Sequence, residues 1–534
     1  MRTIVRNKNS KSPLSLLRPL IILSAFSFGL NGPFADIGNP PDRYPFYSVS
    51  ELAPQSLQSH SEESRDENQI QLLHSGIASL QKRIDLIRSA KKRISIEYFI
   101  WEKDTAGLLM FHELIKKAKE GVDVRIILDK SITIIEMDEF YAEAVAKYGI
   151  DLRHYHRALD PASAQYRTHR KILVVDGHEG ITGGRNIGDD YFDLDEVYNF
   201  VDRDIYVKGK IAKAMEDSFD AFWNDPIVKK SKVLNTQPGS NRLFRDRRNR
   251  DRYRNHRQNA LDKQRAEAAE WIESHAEMEE VASQVEKVAR PILKSYPIAA
   301  CPKLTYVTDR PGAHIGEGVR DEYKSDFRIF RKVLFDFIEN KTRSDEEFIM
   351  ASPYFMLNEQ WQKSLSHVIG KKGVETSIYT NSLGSTDAFY VAANFYDKIY
   401  DWVDFGLKTY VHDSKYDSFY PVYSEDIEET RWGMHDKSQV FNDDSFFVGT
   451  YNIDNRSDFY NAEMGIFCEG SSVLAENLKE DIKHRIGKSY QIIGKEKAVD
   501  SEGNPADAYG NASDKQITIM KAFTLPARLF KPLM

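Results

Sequence analysis

The sequence predicts an α/β protein made of two related halves with a helical insertion between them. A β-α-β pattern of apolar residues begins near residue 93 and returns near residue 347, and a polar motif that starts with His-x-Lys follows each copy. The segment between the copies is charged, rich in arginine and typical of helix. We therefore expect two similar halves that meet at the two motifs.

The composition limits the classes of protein to which the chain can belong. Its 534 residues are enough for two or three domains, because single cores rarely grow beyond ~250–300 residues. With 41% hydrophobic and 29% charged residues the chain is globular, which excludes disorder throughout. A net charge of -7 argues against a general nucleic-acid-binding protein, because backbone phosphates attract positive surfaces.

The chain has two cysteines, Cys301 and Cys468. This number excludes a disulfide framework and a cysteine-rich metal site. One disulfide is compatible with an oxidising compartment, but we expect two unrelated buried thiols.

The first 35 residues have the layout of a secretory signal or a membrane anchor. Basic residues precede an apolar run at residues 20–30, which is about half the ~20 residues that a bilayer-spanning helix needs. Cleavage, retention as an anchor and a disordered leader remain as alternatives for residues 1–35. Residues 36–69 are predicted to be a polar linker.

The first half is expected at residues 70–225. Apolar side chains alternate in RISIEYFIW as they do in a strand. Asp104 or Thr105 is placed to cap the following helix, Gly121 to end it, and VDVRIILD predicts the next strand.

The second half, residues 301–490, repeats this order. EFIMASPYF predicts a strand, a helix begins at Asn358 and ends at Gly373, and VETSIYTN predicts the next strand. The two β-α-β units therefore indicate duplication.

Two segments fall outside the halves. Residues 226–300 are predicted to form an arginine-rich helical insertion, either solvated or with a basic surface that docks on anionic lipid headgroups. Residues 491–534 are predicted to be a flexible tail. Its basic and apolar end either touches a bilayer or packs on its own domain.

The polar motif aligns between the halves without a gap, as HRKILVVDGHEGITGGRN and HDKSQVFNDDSFFVGTYN. Residues two apart share a face of a strand, so each histidine and lysine point to one side. The small-residue turn brings an asparagine amide back to the same place. If the halves pack about a pseudo-twofold axis, the two sets form one phosphate pocket. The matching positions are His169, Lys171, Gly183, Gly184 and Asn186, and His435, Lys437, Gly449, Thr450 and Asn452.

Such a set has the chemistry of phosphoryl transfer without a metal or cofactor. One neutral imidazole attacks phosphorus to give a phosphohistidine, and the other protonates the departing alcohol. The lysines and asparagines stabilise the negative charge of the transition state. Each imidazole needs an acceptor on its other nitrogen, and Glu463 and Asp204 are the predicted carboxylates.

The two segments resemble the His-Lys-Asp motifs of the phospholipase D superfamily. His169, Lys171, Asp176 and Asn186 fit that pattern, whereas Asn442 stands where the second motif should have aspartate. The stretches GGRNIGDDYFD, YTNSLGSTD and NIDNRSDFYNAE also resemble the bacterial cardiolipin synthases of the C type.

The resemblance implies a two-lobed α/β/α sandwich with the active site between the lobes, a phosphohistidine and phosphatidyl transfer. It places Asp176 in the catalytic motif and makes Asn442 a supporting residue. Because the first motif is complete, His169 is assigned as the nucleophile and His435 as the general acid and base.

The preferred function is a membrane-associated phosphatidyltransferase that makes cardiolipin from phosphatidylglycerol, with phosphatidylethanolamine as a candidate second lipid. A hydrolytic phospholipase D shares every catalytic residue and differs in how the pocket excludes water. A nucleic-acid phosphodiesterase and an inert lipid-binding protein, which only Asn442 supports, are further alternatives. We expect a monomeric catalytic unit at a bacterial membrane or in the periplasm, without a nucleic-acid partner.

Overall fold

The structure is a computed structural model that describes residues 59–63, 68–131, 135–156, 166–230, 247–312 and 328–530, with the backbone alone at 59–63, 247–255 and 524–530. The predicted signal or anchor at residues 1–35 lies outside the described residues. None of the helices in the described ranges has the length and apolar character needed to cross a bilayer.

The secondary structure follows the two-half pattern. The strands are β1 (Ser59–Glu63), β2 (Gln69–Leu73), β3 (Arg93–Tyr98), β4 (Asp123–Asp129), β5 (Ile150–Tyr155), β6 (Ile172–Val175), β7 (Glu179–Gly183), β8 (Tyr198–Val201), β9 (Asp204–Lys208), β10 (Val228–Lys229), β11 (Lys303–Thr308), β12 (Glu347–Ala351), β13 (Glu375–Asn381), β14 (Lys408–His412), β15 (Arg431–Met434), β16 (Ser438–Asn442), β17 (Ser445–Gly449), β18 (Met464–Glu469), β19 (Tyr490–Gly494), β20 (Lys497–Val499) and β21 (Pro505–Ala506). The α-helices are α1 (Gly76–Ser89), α2 (Thr105–Lys119), α3 (Glu139–Ala146), α4 (Lys210–Asn224), α5 (Arg247–Glu273), α6 (Glu279–Ser295), α7 (Ile329–Lys341), α8 (Glu359–Leu365), α9 (Phe389–Asp404), α10 (Glu425–Glu428), α11 (Asn455–Phe459), α12 (Ser472–Ile486) and α13 (Asp514–Phe530). Short 3₁₀ turns lie at Asp189–Tyr191 and Ser274–Met278, and a π-helical turn at Ser366–Lys371 follows α8.

The two sheets repeat one strand order, which confirms the predicted duplication. The first sheet runs β10-β5-β4-β3-β6-β7-β9-β2. The second contains the equivalent series β14-β13-β12-β16-β17-β18-β11, extended by β1 at one edge and by β19-β20-β21 at the other. Strands β3, β4 and β5 are parallel in the first sheet, and β12, β13 and β14 are parallel in the second. Strands β6 and β16, which begin just after each His-x-Lys, run antiparallel to β3 and β12.

Local signals start and stop the helices as the sequence predicts. The Asp104 side chain accepts a hydrogen bond from the backbone N–H of Gly107 at 2.9 Å and caps α2. Asn358 accepts from Gln360 and Trp361 and caps α8. Gly121 and Gly373 have φ of 91° and 68°, the left-handed conformation that glycine adopts readily after a helix.

Each sheet lies between two helical layers. Outer helices α1, α2 and α6 contribute buried residues to the core of the first lobe, and α7, α8, α9 and α13 contribute buried residues to the core of the second. Helices α4 and α12 share the core between the sheets, where α4 contacts β11 and α12 contacts β2 of the opposite lobe. The predicted α/β/α sandwich of two lobes is therefore present, and the inner helices hold the lobes together.

The predicted flexible tail at 491–534 is wrong over the described residues. Strand β19 pairs with β14 and continues the second sheet through β20 and β21. Met520 of α13 is buried in the core of the second lobe, and the ring of Phe523 lies 5.5 Å from that of Phe389. The C-terminal segment is thus part of the second lobe.

The boundaries of the linker and the insertion also differ from the prediction. Strand β1, within the predicted linker 36–69, pairs with β11. Helices α5 and α6 of the predicted insertion 226–300 contact α3 and α1, and bury Ile272 and Val285 in the first lobe. They form part of its outer helical layer. The arginine-rich stretch at 241–257 runs into the start of α5, and most of it lies outside the described side chains, so its docking on lipid stays a prediction.

The expectation of two separate thiols is wrong, because Cys301 and Cys468 form a disulfide. Cys468 lies in β18, and Cys301 stands just before the adjacent strand β11. The two residues are 167 positions apart in the chain, so their proximity follows from the sheet topology alone.

Candidate active site

Backbone hydrogen bonds between the lobes bring the two His-x-Lys motifs together. The N–H of His169 donates to the carbonyl of Ala462 at 2.9 Å, and the N–H of His435 donates to that of Val201 at 2.7 Å. Strands β8 and β15, one from each lobe, pair in parallel next to the second contact. Each histidine is therefore fixed to a segment of the opposite lobe.

The side chains repeat this exchange. Nδ1 of His169 lies 3.1 Å from both carboxylate oxygens of Glu463, and Nδ1 of His435 lies 2.6 Å from Oδ2 of Asp202. Each carboxylate comes from the lobe opposite its histidine. Because Nδ1 is engaged in both rings, Nε2 is the nitrogen left to react.

The prediction that Asp204 is an acceptor for one of the imidazoles is wrong, because Asp202 contacts His435 instead. In the hairpins that follow the motifs, Gly183 pairs with Asp204 and Gly449 pairs with Gly465. Glu463 stands two residues before Gly465, so its equivalent is Asp202, two residues before Asp204. The turn and strand at residues 189–201 make the first hairpin longer than the second, so the spacing from Asn452 to Glu463 does not locate the equivalent carboxylate after Asn186.

Asp204 instead belongs to a buried ion cluster behind the site. Its Oδ2 lies 3.0 Å from Arg83 and 3.3 Å from Arg185, and it accepts a hydrogen bond from Ser79. Burial opposes the charge, but the two guanidinium groups lower the pKa of Asp204. This arrangement gives it a structural function.

The two lysines are buried beside the histidines and interact electrostatically with each other. Nζ of Lys171 donates to the carbonyl of His169 at 2.9 Å, and Nζ of Lys437 lies 2.9 Å from Nδ1 of His435. Burial and the like charge of Lys437 lower the pKa of Lys171 to about 7. Burial also lowers the pKa of Lys437. The two ammonium groups therefore repel each other, and a bound anion relieves this repulsion.

The two asparagines follow the small-residue turns. Asn186 Oδ1 accepts a hydrogen bond from the backbone N–H of Ile100 at 3.2 Å, and the Asn186 side chain also forms a hydrogen bond with Tyr191. In Asn452, the buried Oδ1 has no hydrogen-bond partner among the described residues. Its backbone N–H donates to Ser457 at 3.1 Å.

Burial controls the protonation of the site. His169 and His435 are 6% and 5% exposed, and burial followed by the nearby lysines lowers both imidazole pKa values well below 6.5. Burial raises the pKa of Glu463 to about 7 and that of Asp202 to about 6. Both imidazoles are therefore mainly neutral at neutral pH before a substrate adds its negative charge.

Several residues that support the site were not predicted. Ser457 and Asn461 donate to Glu463 at 2.8 and 3.3 Å, and Thr450 donates to its other oxygen. The signal was the stretch NIDNRSDFYNAE, whose polar residues surround the glutamate. Phe99 packs edge-on against His169, and Tyr191 and Phe200 pack against His435.

Asp176 and Asn442 lie at the far ends of the motif strands. Five residues of extended chain, roughly 16 Å, separate Asp176 from Lys171. Its carboxylate accepts hydrogen bonds of 2.8 Å from the backbone N–H groups of Lys91, Lys92 and Arg93, ahead of β3. Its predicted place among the catalytic groups is therefore wrong.

Asn442 has the equivalent position in the second lobe. Its Nδ2 donates to the carbonyl of Lys341 at 3.0 Å, and its Oδ1 accepts from Asp444. The one departure from the motif therefore lies away from the histidines, in a residue that fixes the chain ahead of β12.

Among the described residues, no three His, Cys, Asp or Glu side chains are grouped to hold a metal ion.

Comparison with known proteins agrees with the two-lobe geometry. The family profile described as "Cardiolipin synthase, PLD-like domain" matches residues 84–223 and 337–486, once in each lobe. An uncharacterized protein of Helicobacter pylori strain J99 is 27% identical over 497 residues, which cover 89% of this chain and 90% of that protein.

Cardiolipin synthase C of Escherichia coli (strain K12) is 24% identical over 444 residues, 78% of this chain and 86% of the relative. The crystal structure of phosphatidylserine synthase from Haemophilus influenzae Rd KW20 is similar with a TM-score of 0.57 at 14% identity, over 87% of this chain and 95% of that one. At this identity the structural likeness concerns the fold.

Proposed function

Because the chain belongs to the cardiolipin synthase family of phospholipase D-like domains, we propose that it transfers a phosphatidyl group between phospholipids and makes cardiolipin from phosphatidylglycerol. The observation that supports this most is the reciprocal pairing of His169 with Glu463 and of His435 with Asp202. Two oriented imidazoles that share one cavity suit a two-step displacement at phosphorus.

In the first step, Nε2 of His169 attacks phosphorus of the donor phosphatidylglycerol. A nitrogen–phosphorus bond forms, the bond from phosphorus to the glycerol headgroup breaks, and His435 gives its proton to the departing glycerol oxygen. Asp202 stabilises the protonated form of His435, and Glu463 holds the tautomer of His169 with Nε2 free.

In the second step, the acceptor is the headgroup hydroxyl of another phosphatidylglycerol. His435 takes its proton, the oxygen attacks phosphorus, and the bond to His169 breaks. Cardiolipin and free glycerol are the products. With phosphatidylethanolamine as the donor, ethanolamine leaves instead of glycerol and the second step is unchanged.

Lys171, Lys437, Asn186 and Asn452 are the proposed ligands of the phosphoryl oxygens. Positive charge and amide donors aimed at those oxygens stabilise the five-coordinate transition state more than the ground state. Phosphate binding also returns charge to the two crowded lysines, because a nearby anion favours the protonated amine.

The proposed location is a bacterial membrane surface or the periplasm, where lipid substrates are accessible. The Cys301–Cys468 disulfide supports an oxidising compartment. A nucleic-acid substrate is disfavoured by the net charge of -7.

The test is a lipid product assay with the full chain in detergent micelles. Phosphatidylglycerol and phosphatidylethanolamine are supplied singly and together, and products are identified by mass spectrometry, with and without a chelator. We expect cardiolipin that resists the chelator and is lost in His169→Ala, since removal of one member of a catalytic unit commonly costs ~10³-fold or more.

The products distinguish the alternatives. Phosphatidic acid in place of cardiolipin would make the protein a hydrolase, and loss of activity with the chelator would contradict the metal-free mechanism. If wild type forms neither lipid, the proposed function fails. Cardiolipin that persists in His169→Ala would remove this site from the reaction.

A further inference from the structure

A cavity that contains none of the proposed catalytic residues lies in the second lobe between α8, α9 and the segment that follows β12. It has a volume of about 550 Å³, within the ~300–1,000 Å³ range of small-molecule sites. Its floor is apolar and buried, and is formed by Phe355, Met356, Leu357, Phe395 and Ile399. Asn394 is a buried polar residue of the lining, and the rim is polar, with Gln362, Ser366, Asp397, Lys398 and Asp401. We call this cavity the α9 groove.

The floor of the α9 groove is tied by one backbone hydrogen bond to the segment that carries Asn452. The backbone N–H of Met356 donates to the carbonyl of Ile453 at 2.8 Å, and Ile453 follows Asn452 directly. The residue before the floor, Tyr354, donates to Asp387 at 3.1 Å. Asp387 in turn interacts electrostatically with Lys437. One short segment of chain thus borders the proposed phosphate site and lines the groove.

Helix α9 runs along the groove away from the reaction centre. Tyr390, in its first turn, interacts electrostatically with Asp387. Groove-lining positions then recur from Asn394 to Phe405, and eleven residues of helix span ~16 Å. One leaflet of a bilayer holds its acyl chains over about half of the ~30 Å hydrocarbon thickness. The groove is therefore about as long as one acyl chain in a membrane.

The far end of the α9 groove opens at two aromatic residues. Phe405 is 46% exposed, and its ring lies 5.6 Å from that of Trp402. Aromatic side chains with one wet and one apolar side suit the boundary between water and lipid. This end is consequently a suitable entry for a hydrocarbon chain.

We propose that the α9 groove binds one acyl chain of the phospholipid whose phosphate lies between His169 and His435. The inference rests on the proposed function and extends it, because it assigns the enzyme a contact with the lipid tail as well as the headgroup. The backbone contact with Ile453 beside Asn452, the length of the groove and its largely apolar floor favour this occupant over a polar ligand.

The first test fills the groove from its rim. Ser366→Trp adds an indole at an exposed position that lines the groove, and Lys371→Trp adds the same group on the same π-helical turn outside it. Rates of lipid product formation are measured with dioleoyl and dihexanoyl phosphatidylglycerol in the same micelles. We expect Ser366→Trp to lower the ratio of dioleoyl to dihexanoyl kcat/KM about tenfold, since every methylene excluded from an apolar site weakens binding. Equal ratios in the two variants would overturn the proposal.

The second test does not need turnover. Phosphatidylglycerol with a diazirine near the end of one acyl chain is photolysed with the full wild-type chain, and the labelled peptides are sequenced by mass spectrometry. We expect labels on 355–357 and 395–405, removed by excess dioleoyl phosphatidylglycerol and reduced in Ser366→Trp. Labels confined to other peptides would overturn the proposal, because the end of the acyl chain would then lie outside the groove. If wild type makes no lipid product but labels the groove, the proposed function fails while the lipid site stands.

Discussion

Nδ1 of His435 lies 2.6 Å from Oδ2 of Asp202, a residue of the opposite lobe, while Asp204, two positions later, is bound to Arg83 and Arg185 instead. The two neighbouring aspartates therefore have different functions, and matched substitutions separate them.

Asp202→Asn is expected to lower kcat by roughly 100-fold or more with a small change in KM. The amide no longer stabilises the protonated imidazole, and loss of such a carboxylate from a serine protease costs ~10⁴-fold. Steady-state kinetics on phosphatidylglycerol measure the effect, with circular dichroism to verify folding.

Asp204→Asn is expected to act on stability. It leaves two buried guanidinium groups with less compensating charge, a change that costs ~3–5 kcal/mol in buried ion pairs. The urea midpoint should fall while the folded protein keeps its kcat. A loss of kcat equal to that of Asp202→Asn would contradict this division of roles.

The pH dependence of kcat/KM should be bell-shaped with a maximum near neutrality. The rate rises as Glu463, with a pKa of about 7, loses its proton and becomes the acceptor for His169. It falls as Lys171, with a pKa of about 7 in the free enzyme, loses the charge that binds phosphate. A rate profile from pH 5 to 9 measures both limbs.

Lys171→Arg is the matched variant for the alkaline limb, because guanidinium stays charged throughout this range. We expect that limb to move to higher pH even if the maximal rate is lower. An unmoved alkaline limb would assign it to another group.

Asn442→Asp restores the motif residue and is expected to change kcat less than twofold. Asn442 contacts the backbone of Lys341 and Asp444, far from the imidazoles. The matched variant Asp176→Asn should lower stability by about 1–2 kcal/mol, because it weakens charge-assisted bonds to three backbone N–H groups. A large gain of activity in Asn442→Asp would mean that the second motif limits catalysis.

The disulfide uses both cysteines of the chain. Protein isolated from an oxidising compartment and denatured without reductant is therefore expected to have no thiol that reacts with maleimide. The double variant Cys301→Ser, Cys468→Ser is expected to lose ~2–5 kcal/mol of stability, since the bond closes a long loop. Urea unfolding of wild type with and without reductant is the measurement. Two free thiols in the untreated protein would contradict the bond.

The duplicated fold and the six His, Lys and Asn positions follow from the sequence because they depend on local pattern. Alternation in RISIEYFIW, the cap at Asp104 and the gapless motif alignment are all short-range signals. The prediction that Glu463 contacts a histidine agrees with the 3.1 Å distance to His169, whereas its catalytic role stays a prediction.

The features that the sequence did not reveal depend on long-range pairing. Asp202 is identified by the register of a hairpin that the preceding turn lengthens, and Cys301 reaches Cys468 through strand order. In the C-terminal segment, the strands at the sheet edge have only two to five residues, which is too short for a clear alternation of apolar and polar side chains. The spacing of Ile517, Met520 and Phe523 was the available sign that its last helix has a buried face.

The exchange of carboxylates between the lobes restricts how this gene can change. A lobe produced alone would carry a histidine without its acceptor and an acid without its imidazole, so a single half could complete these pairs only by associating with a second half. Covalent linkage supplies both partners in equal number and lets the halves diverge elsewhere, as the aspartate-to-asparagine difference at the end of the second motif strand shows. Chains truncated to one lobe are therefore expected to lose activity until the missing lobe is supplied.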